Sequence, residues 1–317
     1  MMFQIVDCHR HYGGSLTAEF IWEVICKYNL QIAHSLDEVR RAVSFVDGEP
    51  VGFYNFLNKF NILNVIPWDE WLLRRSTEFI ARQLQSESID YTWMRLSVTK
   101  YKGDLAWWTR RTIIEFIREI FEELIPGRVG LVLSIKYESN REVQTAIVSD
   151  ERIRDLVVGI DLVGDETRYN ADFYKVLLRP WRDDGKILFA HVGESCSKEN
   201  VLTAIQDVGI TEICHGINAI DDPKAIELVQ KNDLCFHMAI SSNYLTGVVK
   251  LGTHPFISCL RNGLKVTLGT DDPVQCSTTL EHEYELARDI LRSSEMPVED
   301  NIDKLKAEAV SRVAKYK

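Results

Sequence analysis

The sequence lacks any run approaching the ~18 apolar residues that a membrane-spanning helix requires. It also lacks a Cys-x-x-Cys pair. Its seven cysteines (Cys8, Cys26, Cys196, Cys214, Cys235, Cys259, Cys276) are odd in number and scattered, which fits reduced thiols better than a disulfide framework. Basic residues never gather beyond pairs such as Arg40-Arg41, Arg74-Arg75 and Arg110-Arg111, and 37 Lys plus Arg stand against 47 Asp plus Glu, a net charge of −10. So acidic a surface repels phosphate backbones and anionic lipid, so neither nucleic acid nor membrane is expected as a partner; a small nucleoside stays admissible. The stretch Met1-Met2-Phe3-Gln4-Ile5-Val6-Asp7 has no basic leader and no apolar segment of targeting length. These absences predict a soluble, cytoplasmic protein. Missing too are a Pro/Gly/Ser-rich linker, an internal repeat and a long charge run, so residues 1–317 read as one domain.

What is present is the composition of a globular chain: 45% apolar and 26% charged over 317 residues, long enough to bury a large core without staples. Low-complexity disorder, a collagen-like repeat and a disulfide miniprotein are excluded. Short apolar runs of strand character recur at Phe3–Cys8, Tyr91–Ser97, Val129–Ser134, Leu156–Asp161, Ile187–His191, Ile210–Cys214, Leu234–Met238 and Leu264–Gly269. Between them lie helical patterns, such as Ile113, Ile117, Ile120, Phe121 and Leu124 at spacings of three or four. Strands alternating with helices predict βαβ units and a parallel sheet, and eight such units predict an α/β fold of the (β/α)8 TIM-barrel type. The interval between the first two strands is much longer than one unit needs. About 15–88 reads as a helical insertion after strand one, near the active-site mouth, with one helix carrying Leu16, Phe20, Ile21, Val24 and Ile25 and another running from Trp68 to Leu84.

Chemistry-bearing residues gather at strand ends. His9 and His11 are two apart, so on a strand they point the same way, and imidazole suits zinc; alone, His-x-His is a weak signal. Ile187–His191 ends in His191 and continues Val192-Gly193-Glu194, adding a third imidazole and a carboxylate. Another short strand ends in His215, and the eighth runs into Asp271-Asp272-Pro273. The tripeptide is not diagnostic by itself, because Asp221-Asp222-Pro223 repeats it and reads as a helix N-cap followed by Pro. The combination carries the weight, since all these residues fall on the face where barrel enzymes keep their chemistry. Three His and one carboxylate form a plausible ligand set for one divalent ion. His34, His237, His254 and His282 receive no role.

At these residues the chain resembles the adenosine deaminase family of metal-dependent amidohydrolases. The resemblance rests on His9-Arg10-His11, His191-Val192-Gly193-Glu194, Cys214-His215-Gly216 and Thr270-Asp271-Asp272-Pro273, met in order. Phe56–Phe60, Gly159–Glu166, Ser242–Gly247 and Ser277–Leu280 look like the family as well. It implies one Zn2+ per chain on His9, His11, His191 and Asp271, and hydrolysis of the 6-amino group of an adenine-type purine to the 6-oxo product and ammonia. Glu194 would donate a proton to the ring nitrogen, His215 would orient or deprotonate the attacking water, and Asp271 would share in the catalytic work. Asp272, the Gly164 N–H and His11 would meet substrate. The partner implied is a small purine. Departures bear on the other half of that substrate: Gly13 stands where the family usually has an acid that meets the ribose, beside Tyr12. Cys214, His237, Ile240 and Gly269 replace the family's usual Gly, Glu, Pro and Asn. Strand four offers Gly159, Ile160 and Asp161 in place of the lysine that bridges two metals in binuclear relatives, which favours one metal. The competing expectations are a barrel amidohydrolase acting on another C–N or ester bond, and a catalytically silent purine-binding relative.

Overall fold

The structure, a computed structural model, describes residues 3–98, 109–250 and 252–317. Eight parallel strands follow one another round a single sheet in chain order: β1 Val6–His11, β2 Tyr91–Ser97, β3 Val129–Lys136, β4 Gly159–Val163, β5 Ile187–Val192, β6 Glu212–His215, β7 Cys235–Met238 and β8 Lys265–Leu268. The seam from β8 to β1 is bridged just past the end of β8. There the His11 N–H donates to the Asp271 carbonyl at 2.8 Å, and the Asp271 N–H donates to that of His9 at 2.6 Å. This is the (β/α)8 barrel the alternation predicts. Because helices cover the outside and side chains fill the inside, the strands are buried on both faces and read as apolar runs.

Four helices lie between β1 and β2: α1 Ala18–Tyr28, α2 Leu36–Val43, α3 Phe53–Asn58 and α4 Glu70–Ser86. Their starts are legible locally. The side chains of Thr17, Ser35 and Asp69 each accept a backbone N–H from the first turn of α1, α2 and α4, the usual N-cap role of these residue types. Past β2, helix α5, Arg110–Leu124, buries Ile113, Ile117, Ile120 and Phe121 on one stripe; Leu124, expected on it, is exposed. Phe20, Ile21, Val39 and Leu72 join the same continuous core as the outward-facing residues of the strands. A second, smaller core fills the barrel interior, where Val6, Cys8, Trp93, Val132, Phe189 and Cys214 meet Ala309 and Val313 of the C-terminal helix Val298–Lys315. Among the described residues no helix is long and apolar enough to cross a membrane, and all seven cysteines are free thiols.

Seven of the eight strands differ at an end from the sequence reading, and two of these differences matter. The first strand begins at Val6 rather than Phe3 and runs through His11, so both of its histidines lie inside it. The fourth occupies Gly159–Val163, because Asp150 caps a short helix, Glu151–Leu156, over residues that pass for strand by composition. Apolar content alone does not separate a buried strand from a short buried helix.

Candidate active site

The register of β1 against β2 shifts between Asp7 and Arg10. A bulge there changes the phase of the pleat, and bulges commonly re-aim side chains beside active sites. Cys8 packs with Trp93 in the barrel interior; His9, its immediate neighbour, also points inward, and so does His11. Without the extra residue, an inward Cys8 would turn His9 outward. The seam is held tight around this point. Thr270 donates its hydroxyl to Asp7 Oδ2 at 2.7 Å, and a Cβ on Gly269 would sit 2.6 Å from that of His9. Only glycine allows the end of β8 to pass so close.

Four side chains converge inside this mouth. His9 Nε2 lies 3.1 Å from His191 Nε2 and 3.2 Å from Asp271 Oδ1, and His11 Nε2 lies 3.2 Å from the same oxygen. One ligand atom from each of His9, His11, His191 and Asp271 falls within 4.8 Å of all the others. Burial pushes His9 well below the usual imidazole range and lowers His11, so both rings are neutral donors. Burial works against the ionised form of Asp271 as well, but His9 and His11 overcome it and hold the carboxyl well below its ordinary range. Three imidazole nitrogens and one anionic oxygen aimed at one point fit a divalent cation of the zinc type.

Two of these donors, His191 and Asp271, are fixed from behind. His191 Nδ1 is 3.0 Å from Asp161 Oδ1, the carboxylate–histidine pairing that sets ring orientation at metal sites. Burial opposes a charge on His191, and Asp161 more than compensates, raising its pKa. Asp161 is in turn paired with Arg95 at 2.6 Å, both fully buried, and Arg95 also donates to the Cys8 carbonyl at 3.0 Å. Ser242 donates to Asp271 Oδ2 at 2.6 Å. Asp271 and His215 both adopt left-handed backbone, φ 56° and 62°, a conformation uncommon outside glycine that concentrates at functional sites.

Glu194 and His215 flank the cluster. His215 Nε2 lies 3.8 Å from Glu194 Oε2 and 3.9 Å from Asp271 Oδ2. Burial, then the charge of Asp271, pushes Glu194 up to about 8, and burial lowers His215 to about 3. The loop carrying Glu194 is gripped by a second carboxylate, Glu166, which accepts the N–H groups of Gly193, Glu194, Ser195 and Cys196. Asp272 rests over Gly14, where a Cβ would lie 2.0 Å from Asp272 Oδ1. Burial and the neighbouring Asp271 raise its pKa well above the carboxylate range. The other Asp-Asp-Pro behaves differently: Asp222 accepts the N–H groups of Lys224 and Ala225 as a plain N-cap.

The converging residues open into a pocket at the mouth of the barrel. His11, Gly164, Glu194, His215, Asp271 and Asp272 all line it, while Phe53, Phe56, Phe60 and Trp68 form an apolar wall from the α3 side. The structure therefore brings together His9, His11, His191, Glu194, His215, Asp271, Asp272 and Gly164. Sequence reasoning gave no role to the supporting residues Arg95, Asp161, Glu166 and Ser242. Arg95 and Asp161 did leave a signal, because each is a charge inside an otherwise apolar strand at a position whose alternation points inward; Glu166 and Ser242 lie in stretches that resemble the family, which by itself gives them no role.

Comparison with known proteins identifies the family and the fold. The sequence model of the adenosine deaminase family matches residues 5–312. An adenosine deaminase from Edwardsiella ictaluri is 27% identical over 293 residues, covering 90% of this chain and 87% of its own. Among solved structures, an adenine deaminase from Arthrobacter aurescens superposes with a TM-score of 0.78 at 17% identity, covering 99% of both chains. An amidohydrolase from Burkholderia ambifaria with bound Zn superposes with a TM-score of 0.82 at 18% identity, over 97% of this chain and 85% of its own. With a family match over nearly its whole length, this chain belongs to the adenosine deaminase family of amidohydrolases and is a hydrolase of that kind.

Proposed function

We propose that the protein is a zinc-dependent aminohydrolase that removes the 6-amino group of an adenine-type purine. The observation that carries this reading is the buried Glu194 carboxyl facing the His9–His11–His191–Asp271 cluster across His215. A divalent ion held by those four residues would acidify a coordinated water to a pKa of about 7. The chain's own groups do the rest. Addition of water oxygen to an aromatic C6 requires a proton on the adjacent ring nitrogen, and Glu194, still protonated near neutrality, supplies it. Asp272, kept protonated by burial and by Asp271, can donate to another ring nitrogen, and the Gly164 N–H serves a further one. As the C6–N bond breaks, the proton of the added hydroxyl passes to the departing amine, giving the 6-oxo purine and ammonia, and the proton first released by the water restores the Glu194 acid.

A single metal suits the donor arrangement. The other grouping near the mouth, Asp161, His191 and Cys214, already contains the Arg95 guanidinium, 2.6 Å from Asp161 and 3.2 Å from Cys214 Sγ, so a cation occupies that ground. On this reading residues about 15–88 cap the mouth of one domain spanning 1–317, acting in the cytoplasm. Recognition of the sugar is where the chain is most its own. A Cβ on Gly13 would meet Leu63 Cδ1 at 3.2 Å, so the family's usual acid is absent and its ground lies against an apolar side chain. The test is a spectrophotometric deamination screen of the zinc-loaded protein against 6-aminopurine bases, nucleosides and nucleotides, with metal content measured in parallel. Ammonia release with one metal per chain is expected. Two metals per chain, or turnover only of a cyclic amide or ester, would replace this reading with that of a different amidohydrolase; no turnover at all would favour a silent purine-binding relative.

A further inference from the structure

His254 lies outside the cluster, between β7 and the short helix Phe256–Arg261, and is buried. Its Nδ1 accepts the backbone N–H of Phe256 at 3.2 Å. A backbone N–H can only donate, so this nitrogen carries no proton. Burial alone lowers His254 to about 3; the ring is neutral and its one proton sits on Nε2. That nitrogen is 3.1 Å from Asn243 Oδ1, where the amide must therefore accept. The amide orientation follows, and Asn243 turns its Nδ2 towards His215 Nδ1 at 2.9 Å. An amide nitrogen has protons to give and no lone pair to offer. His215 Nδ1 is thus an acceptor, and the proton of the neutral ring is forced onto Nε2. That atom has no hydrogen-bond partner among the described residues and faces Glu194 and Asp271.

We propose that His254, acting through Asn243, is a positioning residue that fixes the proton of His215 on Nε2, so that His215 offers the reacting oxygen a hydrogen-bond donor rather than a proton acceptor. One fixed donor, the Phe256 N–H, sets the direction of every bond in the chain. His237, buried outside the cluster, takes no part: it bonds Glu212 and Thr267, each at 2.8 Å. The proposal rests on the deaminase reading only for what His215 meets; the tautomer itself does not depend on it.

The test is long-range 1H–15N NMR of the histidine rings in zinc-loaded, full-length protein, with signals assigned by their loss in His215→Asn and His254→Gln. In the wild type, both His215 and His254 should show a protonated Nε2 and an unprotonated Nδ1. His254→Gln keeps an amide donor where Nε2 stood and should preserve the His215 pattern and kcat. His254→Leu removes the donor, frees the Asn243 amide to turn, and should move the His215 signals towards Nδ1–H. On whichever purine is turned over, that variant should lower kcat by about 10²-fold, the usual worth of one positioned acid–base group, with KM changed by less than about threefold. Should His254→Leu fail to fold, Asn243→Asp accepts at both ends and should invert the His215 tautomer. A wild-type His215 carrying its proton on Nδ1, or a His215 pattern unmoved in both His254→Leu and Asn243→Asp, overturns the proposal. Absence of purine turnover would sink the deaminase reading and leave these spectra to decide this one.

Discussion

Carrying the pH upward through 8 should switch the enzyme off at a single carboxyl. Glu194 is 6% exposed, and loss of hydration followed by the charge of Asp271 moves it from 4.5 to about 8. At pH 7 a glutamic acid at its ordinary value is protonated in about 0.3% of molecules, whereas one at about 8 is protonated in about 90%, roughly a 300-fold gain in usable acid. In free energy the site disfavours the charged form by about 5 kcal/mol, at about 1.4 kcal/mol per unit. The folded value is raised, so the acid form is present below it and lost as pH rises through it. On a 6-aminopurine substrate, kcat/KM should therefore hold between about pH 7 and 8 and fall about tenfold per unit above, since this ratio reports ionisations of the free enzyme. Initial rates followed by purine absorbance from about pH 6 to 10 measure it. Glu194→Gln, which cannot transfer a proton, should keep its metal, lose about 10²–10⁴-fold in turnover and lose the alkaline limb from any residual rate. A wild-type rate that stays level to about pH 10, or a Gln variant that retains the limb, would refute the assignment of Glu194 as the acid.

The supporting residues give further expectations. Glu166→Gln leaves one carbonyl oxygen where two carboxylate oxygens accept the N–H groups of residues 193–196; a loss of about 1–3 kcal/mol in denaturant unfolding is expected, with kcat falling as Glu194 loses its placement. Asp161→Asn strips the fully buried Arg95 of its counter-charge and should cost about 3–5 kcal/mol together with weaker metal retention, read by calorimetry and metal analysis. Chelation should abolish turnover and lower Tm, and zinc should restore both, because a ligand bound to the folded state alone stabilises it by mass action; a Tm indifferent to chelator would argue against a metal bound at the His9–Asp271 cluster.

The barrel and the converging residues were legible in the sequence for different reasons. Eight apolar runs separated by helical stripes are local patterns, and local patterns survive without knowledge of the partner strand. The placement of His9 was less secure. Its separation of two from His11 says that they share a face, but the face itself depends on the bulge between Asp7 and Arg10, a property of the pairing with β2. Strand four slid by three residues at its start because capping by Asp150 claims 151–156 for a helix. His254 had no signal at all: nothing in Thr253-His254-Pro255 tells that a ring will bond an amide eleven residues earlier.

By itself the sequence determined the alternation, the strand-end histidines and carboxylates, and the acidic surface, since each follows from residue type and spacing along the chain. The tertiary structure alone decided which donors meet, how Asp161 and Arg95 neutralise one another beneath them, why Glu194 stays protonated and where His215 holds its proton. Those outcomes depend on burial and on distances of about 3 Å between residues far apart in sequence, and hydration and Coulomb energies respond to separation in space, not along the chain.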